Sequence, residues 1–244
     1  MHIPDGFLDP KVSGSMMGAA AVVLAYSFAK VRAAVTAHVP QEAFAAAGRV
    51  AGNIVGRGRR VLTKFGEQKI YLMGMVASLI FAAQMFNFPI NQGTSGHLLG
   101  GVLAAVLLGP FAGTLVIAAV LGIQSLFFAD GGFLALGANI INMAFFGALV
   151  SYYIYYLLKK ILPEWASVGI AAWFSVVMAA FACSLEIGFS GTISYGLVVP
   201  SMFKVHAIIG IAEALITLAM INVFRKTVPA IRLARAVNSE EEIK

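Results

Sequence analysis

Charge is what this sequence has least of: Asp, Glu, Lys and Arg make up only 11% of its 244 residues, against 60% hydrophobic residues. With a mean hydropathy of +0.88, the chain lacks the polar surface that a soluble domain of this length needs, and a bilayer becomes the expected solvent. Cysteine is almost missing too. Cys183 stands alone in an apolar run, which rules out an intrachain disulfide and reads as a small packing residue. The first ten residues hold two acids, two prolines and neither Lys nor Arg. A secretory signal needs a basic start, an apolar core and a small-residue cleavage site, so the terminus is expected to be retained with its α-amine free. There is no Gly-x-x-x-x-Gly-Lys-Ser/Thr phosphate loop and no His-Glu-x-x-His pair. The chain therefore carries no ATPase motif of its own, and an intramembrane metalloenzyme, one competing reading, would lack its general base.

What is present is a series of apolar runs long enough to cross a core of about 30 Å as helices. Runs and breakers predict helices at 10–33, 70–89, 97–108, 111–128, 133–158, 166–187 and 204–224, an all-α bundle of about seven spans. Asp9-Pro10 is a helix start, an N-cap followed by proline at the first helical position. Gly109-Pro110 reads either as a turn between two spans or as a kink in one.

Charge placement decides for the turn. With seven spans, an outside N-terminus and an inside C-terminus, the basic clusters Lys30 to Lys69, Lys159-Lys160 and Arg225 to Arg235 all face the cytoplasm, and of the 17 Lys and Arg only Lys11 and Lys204 fall outside. The net charge of +6 is then a membrane-topology signal and implies no nucleic acid. The expected organisation is one transmembrane domain over 1–244, with an N-terminal segment 1–9, a basic cytoplasmic insert 36–69 and a cytoplasmic tail 225–244. The insert is expected to hold a short amphipathic helix at 41–50, and it reads either as a solvated basic loop touching anionic membrane lipid or as a partner-docking segment.

Polar residues collect on one side. Gln84, Asn87, His97, Gln124, Asp130, Asn139, Asn142, Glu186 and His206 fall in or at the outer half of the membrane on this topology, and Glu213 lies deeper. Ionisable groups are costly in lipid and face a bundle interior or wet cavity, so the cluster points to an outward polar pocket. His206 and Glu213 are separated by about 10.5 Å along a helix, too far to share one small ion, and read as interior hydrogen-bonding residues.

His2 is in a special chemical position. The Met1 α-amine, the His2 backbone nitrogen and the His2 imidazole can close two fused chelate rings on one metal, and a further imidazole completes a planar four-nitrogen set suited to nickel(II) or copper(II). His97 is the natural fourth donor. It follows the loop Asn91-Gln92-Gly93-Thr94-Ser95-Gly96, while Ile3-Pro4-Asp5-Gly6 makes the terminus a stiff, turned segment. Gln84, Asn87, Thr94, Ser95, Asn139, Asn142, His206 and Glu213 are the expected pocket residues around Met1, His2 and His97.

Met1-His2-Ile3-Pro4-Asp5-Gly6-Phe7-Leu8 closely resembles the start of the CbiM/NikM family, the substrate-binding components of energy-coupling-factor (ECF) transporters for cobalt and nickel. Phe88-Pro89-Ile90, Gly93 to Gly100, Asp130-Gly131-Gly132, Leu136 to Asn139, Asn142-Met143-Ala144 and His206 to Glu213 extend the match to nearly the whole chain outside the insert and tail. The resemblance implies a seven-helix fold with the N-terminus inserted into a central pocket, and nickel or cobalt held by the Met1 amine, both His2 nitrogens and His97. The loop is more similar to NikM than to the Ser-Cys-Ser-His pattern of CbiM members, which favours nickel. It also implies a prokaryotic cell membrane, a transport component rather than an enzyme, no organic cofactor, and separate partners: a transmembrane coupling component, two ATP-binding subunits and a small auxiliary membrane protein. A binding component for an organic vitamin is the other competing reading; it requires neither a free Met1 amine nor His97.

Overall fold

The computed structural model describes residues 2–39, 59–86, 88–90 and 94–228. Seven helical segments occur among them: α1 (Pro10–Val35), α2 (Lys64–Gln84), α3 (Gly101–Leu108), α4 (Pro110–Phe127), α5 (Leu136–Leu158), α6 (Glu164–Phe189) and α7 (Tyr195–Thr227). Five of these, α1, α4, α5, α6 and α7, are long and apolar enough to cross a membrane. Two antiparallel ladders accompany them, β1 (Thr36–Val39) with β2 (Arg59–Leu62) and β3 (Phe88–Ile90) with β4 (Thr94–Gly96).

α1 starts where Asp9-Pro10 places it, with the Asp9 carboxylate accepting from Lys11 N at 2.8 Å. The expected insert 36–69 is shorter than its charges suggested. Thr63 caps α2 by accepting from Gly66 N at 2.9 Å, so Lys64, Glu67 and Lys69 belong to the helix, and α2 ends at Gln84 instead of 89. A cap hydroxyl outweighs the cost of a few charges at an exposed helix end. The flanks of the insert pair as β1 and β2, with Thr36 opposite Leu62, and the helix expected at 41–50 lies outside the described residues.

The span expected at 97–108 is helical only from Gly101, because residues 97–100 form no regular element and Gly100 turns at φ +74°. Gly109-Pro110 is a turn: α3 and α4 fold back on one another, and Gly113 lies so close that a Cβ there would be 2.8 Å from the Ala105 Cα. α5 begins at Leu136 rather than 133 and widens into a π-helix over Ile141–Val150, on which α3 packs through Gly101 against Gly147. α6 runs two residues beyond its expected limits at each end, and α7 begins at Tyr195 instead of 204, carrying Pro200 six residues in. Proline there removes one hydrogen bond near a helix start and is tolerated in membrane helices. α7 also takes Arg225, Lys226 and Thr227 from the expected tail. Arg225 forms a bidentate pair with Glu164 on α6, the shorter contact 2.6 Å, and the Tyr155 hydroxyl of α5 donates to the same carboxylate.

Packing is densest between α6 and α7. The inward side of α6 is made of small residues, Ala171, Ala172, Ser175, Ala179, Ala180 and Cys183, all buried. Small side chains let helix backbones approach closely where lipid supplies no hydrophobic drive. α3 is buried on nearly every side and fills the centre of the bundle.

Candidate metal centre

The N-terminal segment is bonded into the bundle as a plug. Ile3 N donates to Asn139 Oδ1 at 2.8 Å, and Asn139 Nδ2 returns a bond to Ile3 O at 3.2 Å, so one carboxamide pairs with the backbone of residue 3 as a neighbouring strand would. Gly132 N adds a second bond to Ile3 O at 2.8 Å. Two residues on, the Asp5 carboxylate accepts from Phe133 N at 3.1 Å and Leu134 N at 2.8 Å. The Thr192 hydroxyl donates to Phe7 O. Gly131 and Gly132 form the cradle. Gly131 has φ +90°, and a Cβ on it would lie 3.2 Å from His2 Cδ2; a Cβ on Gly132 would run into Asp5 and Pro4.

The plug carries His2 inward. Its ring stacks on that of His97, with centroids 4.4 Å apart and planes inclined by 21°, and both residues are buried. His97 follows β4 directly, so the β3–β4 ladder delivers it to the pocket. Its Nδ1 lies 2.7 Å from Leu98 O. A carbonyl only accepts, so Nδ1 carries the proton and the lone pair is on Nε2, which has no hydrogen-bond partner. Burial holds His2 below the ordinary histidine range. That imidazole is thereby kept in the neutral, metal-binding form.

Asp130 Oδ1 stands 3.1 Å from His2 Nδ1, and the Gln124 side chain lies beside the same ring with both amide atoms unpartnered. The sequence marked Asp130 and Gln124 as outer polar residues without placing either against His2. Asp130-Gly131-Gly132, read as a motif, was the available signal. Asp5, seen only as a turn residue, is the other omission.

Other expected residues separate into groups. Gln84 and Glu213 both bond to the backbone of Leu99. His206 Nδ1 lies 2.8 Å from Met202 O within its own helix, leaving Nε2 buried and unpartnered. Asn142 turns to Glu186, donating to Oε2 at 2.7 Å. Met1, Asn87 and the loop tip Asn91-Gln92-Gly93 lie outside the described residues, as do the side chains of Thr94 and Ser95.

Among the described residues, no three His, Cys, Asp or Glu side chains converge as a ligand set. What the arrangement offers a metal is buried imidazole nitrogen beside the Gln124 and Asn139 carboxamides and the Asp130 carboxylate, chemistry suited to nickel, cobalt, copper or zinc and poor for calcium or magnesium.

The chain is 39% identical over 224 residues to a NikMN relative from Archaeoglobus fulgidus, covering 91% of this chain and 64% of that one. A fused nickel transport protein, NikMN, of Rhodobacter capsulatus is 29% identical over 265 residues, covering 99% of this chain and 67% of that one. This chain thus spans about two thirds of the length of these fused relatives. The crystal structure of a transition metal transporter superposes with a TM-score of 0.75 at 29% identity, covering 93% of both chains. The S-component for biotin from an ECF-type ABC transporter shares the fold at a TM-score of 0.54 and 18% identity, over 68% of this chain and 96% of that one. The family model described as the cobalt uptake substrate-specific transmembrane region matches residues 2–231, and this multi-pass membrane protein belongs to that family, CbiM.

Proposed function

We propose that the chain is the metal-capturing membrane component of an ECF-type uptake system, binding Ni²⁺, with Co²⁺ as the alternative cargo, from the outer side. His97 Nε2 carries the reading: a buried, neutral imidazole nitrogen with its lone pair free, stacked against the second residue of the chain. The Met1 amine and both His2 nitrogens complete a four-nitrogen set, whose planar geometry favours nickel(II) over tetrahedral zinc. The nickel named for the Rhodobacter capsulatus relative supports the same preference.

In this reading the chain crosses seven times, with α2 and the segment 97–108, helical from Gly101, making the two crossings beyond the five long helices. The N-terminus is outside and the C-terminus inside. Translocation needs the partners that an ECF system supplies: a transmembrane coupling component, two ATP-binding subunits and, in some systems, a small auxiliary membrane protein.

The test addresses the α-amine, which no side-chain substitution imitates. One residue added before Met1, or acetylation of the terminus, is expected to abolish tight nickel binding while the thermal melt of the bundle stays in place. A C-terminal tag is expected to change neither. If the extended protein is folded and binds nickel with an unchanged visible spectrum, the N-terminal chelate is wrong.

A further inference from the structure

Just past His97 the backbone is gripped from two helices. Leu99 N and Gly100 N donate to Oε2 and Oε1 of Glu213 at 2.8 and 2.7 Å, and Leu99 O accepts from Gln84 Nε2 at 2.7 Å. Glu213 is on α7 and Gln84 on α2, at 2% and 0% exposure. Gly100 fits beneath Ile80 only because it has no side chain: a Cβ would lie 2.8 Å from Ile80 Cγ1.

Two successive N–H groups converging on one carboxylate form an anion-binding nest. Both oxygens accept, so the ionised side chain is the form that matches; a glutamine would set an NH₂ donor against one of the two N–H donors. The peptide group joining Leu98 to Leu99 is held at both ends. Its C=O accepts from His97 Nδ1–H at 2.7 Å while its N–H donates to Glu213. Hydrogen bonds in series polarise one another, and an anion at the end of the series does so most strongly.

We propose that Glu213 is the anionic end of a relay from carboxylate through the Leu98–Leu99 peptide to imidazole, which locks the His97 tautomer and strengthens Nε2 as a donor to the transported metal. The inference rests on the reading of His97 as a ligand. Metal-bound imidazoles commonly set their second nitrogen against a carbonyl or a carboxylate; here the two act in sequence, with the carboxylate one peptide away. Glu213 touches neither the metal nor the ring, so it is a positioning residue. Because Glu213 sits on α7 and its two targets lie in the segment before α3, the donor strength of His97 depends on how α7 stands against residues 98–100.

The experiment uses full-length protein with ¹⁵N-labelled histidine, metal-free and then with nickel alone. In wild type the His97 Nδ1–H resonance is expected far downfield. Glu213→Gln is expected to move it upfield and to weaken nickel binding by roughly 10–100-fold, the usual loss when a ligand's outer partner is removed. A folded Glu213→Gln protein with an unmoved resonance overturns the relay, whatever its affinity. If that variant does not fold, Glu213→Asp takes its place: the carboxylate withdrawn by one methylene shifts the resonance the same way by less, and an unmoved resonance again overturns the relay. Failure of the wild type to bind nickel overturns the proposed function and the donor role; the metal-free spectrum reads the tautomer lock by itself.

Discussion

A histidine that commits one nitrogen to a carbonyl has a single lone pair left to give, and at His97 that pair is buried and unclaimed. His97→Ala and His2→Ala are therefore each expected to leave purified protein nearly free of nickel, measured by elemental analysis, while His38→Ala retains the wild-type content. Wild-type content in His97→Ala would remove that residue from the site. Burial favours the neutral form of the His2 imidazole below the pH at which an exposed histidine gains its proton. Near pH 7 the protons displaced by nickel then come from the α-amine, with an ordinary pKa of about 8, and from the His2 amide, about two per ion. Affinity is expected to fall as pH drops from 8 to 6. Calorimetry in buffers of different ionisation enthalpy counts the protons, and a value near zero is incompatible with the chelate. His2 and His97 were legible from sequence because their chemistry is local to a terminus and a loop. The work of Asn139 and Glu213 was not: each bonds to backbone atoms more than a hundred residues away, and a backbone atom has no signature in sequence.

Elements were legible where chemistry marks their ends. Asp9-Pro10 and Gly109-Pro110 behaved as read, whereas α2 and α7 began early because a threonine cap and a tolerated proline outranked charge and breaker signals. The β1–β2 ladder escaped notice because four-residue strands in a basic segment leave no alternation to detect. The 130–134 turn is the element on which the plug depends, since it supplies N–H donors to Ile3 and Asp5 as well as the two-glycine cradle. Gly132→Ala puts a methyl group against Asp5 and Pro4 and is expected to displace the plug, lowering nickel affinity by at least about tenfold, since two or more hydrogen bonds worth roughly 1 kcal/mol each are strained. The bundle, most of whose core lies among the helices away from the plug, is expected to melt within a few degrees of wild type. An unchanged nickel titration would show that the cradle is not needed.

At the scale of the whole molecule, composition pointed to a membrane protein before any helix was placed, and the long apolar helices and the family relationship bear that out. Orientation is open to a direct test. A cysteine introduced in 57–60 is expected to react with impermeant reagents only from the cytoplasmic side, and one in 91–95 only from outside; Cys183, wholly buried, gives little background. Labelling of both from one face would break the seven-crossing arrangement. The plug has a kinetic corollary. Ile3 has no exposed surface, and Asn139, Gly132, Asp5 and Thr192 each fasten the segment that supplies His2. An ion seated behind such a stopper cannot be pulled out by a chelator that never reaches it. Loss of nickel to excess chelator should be first order, with a rate that levels off as chelator concentration rises, because the slow event is the chain's own N-terminus lifting away.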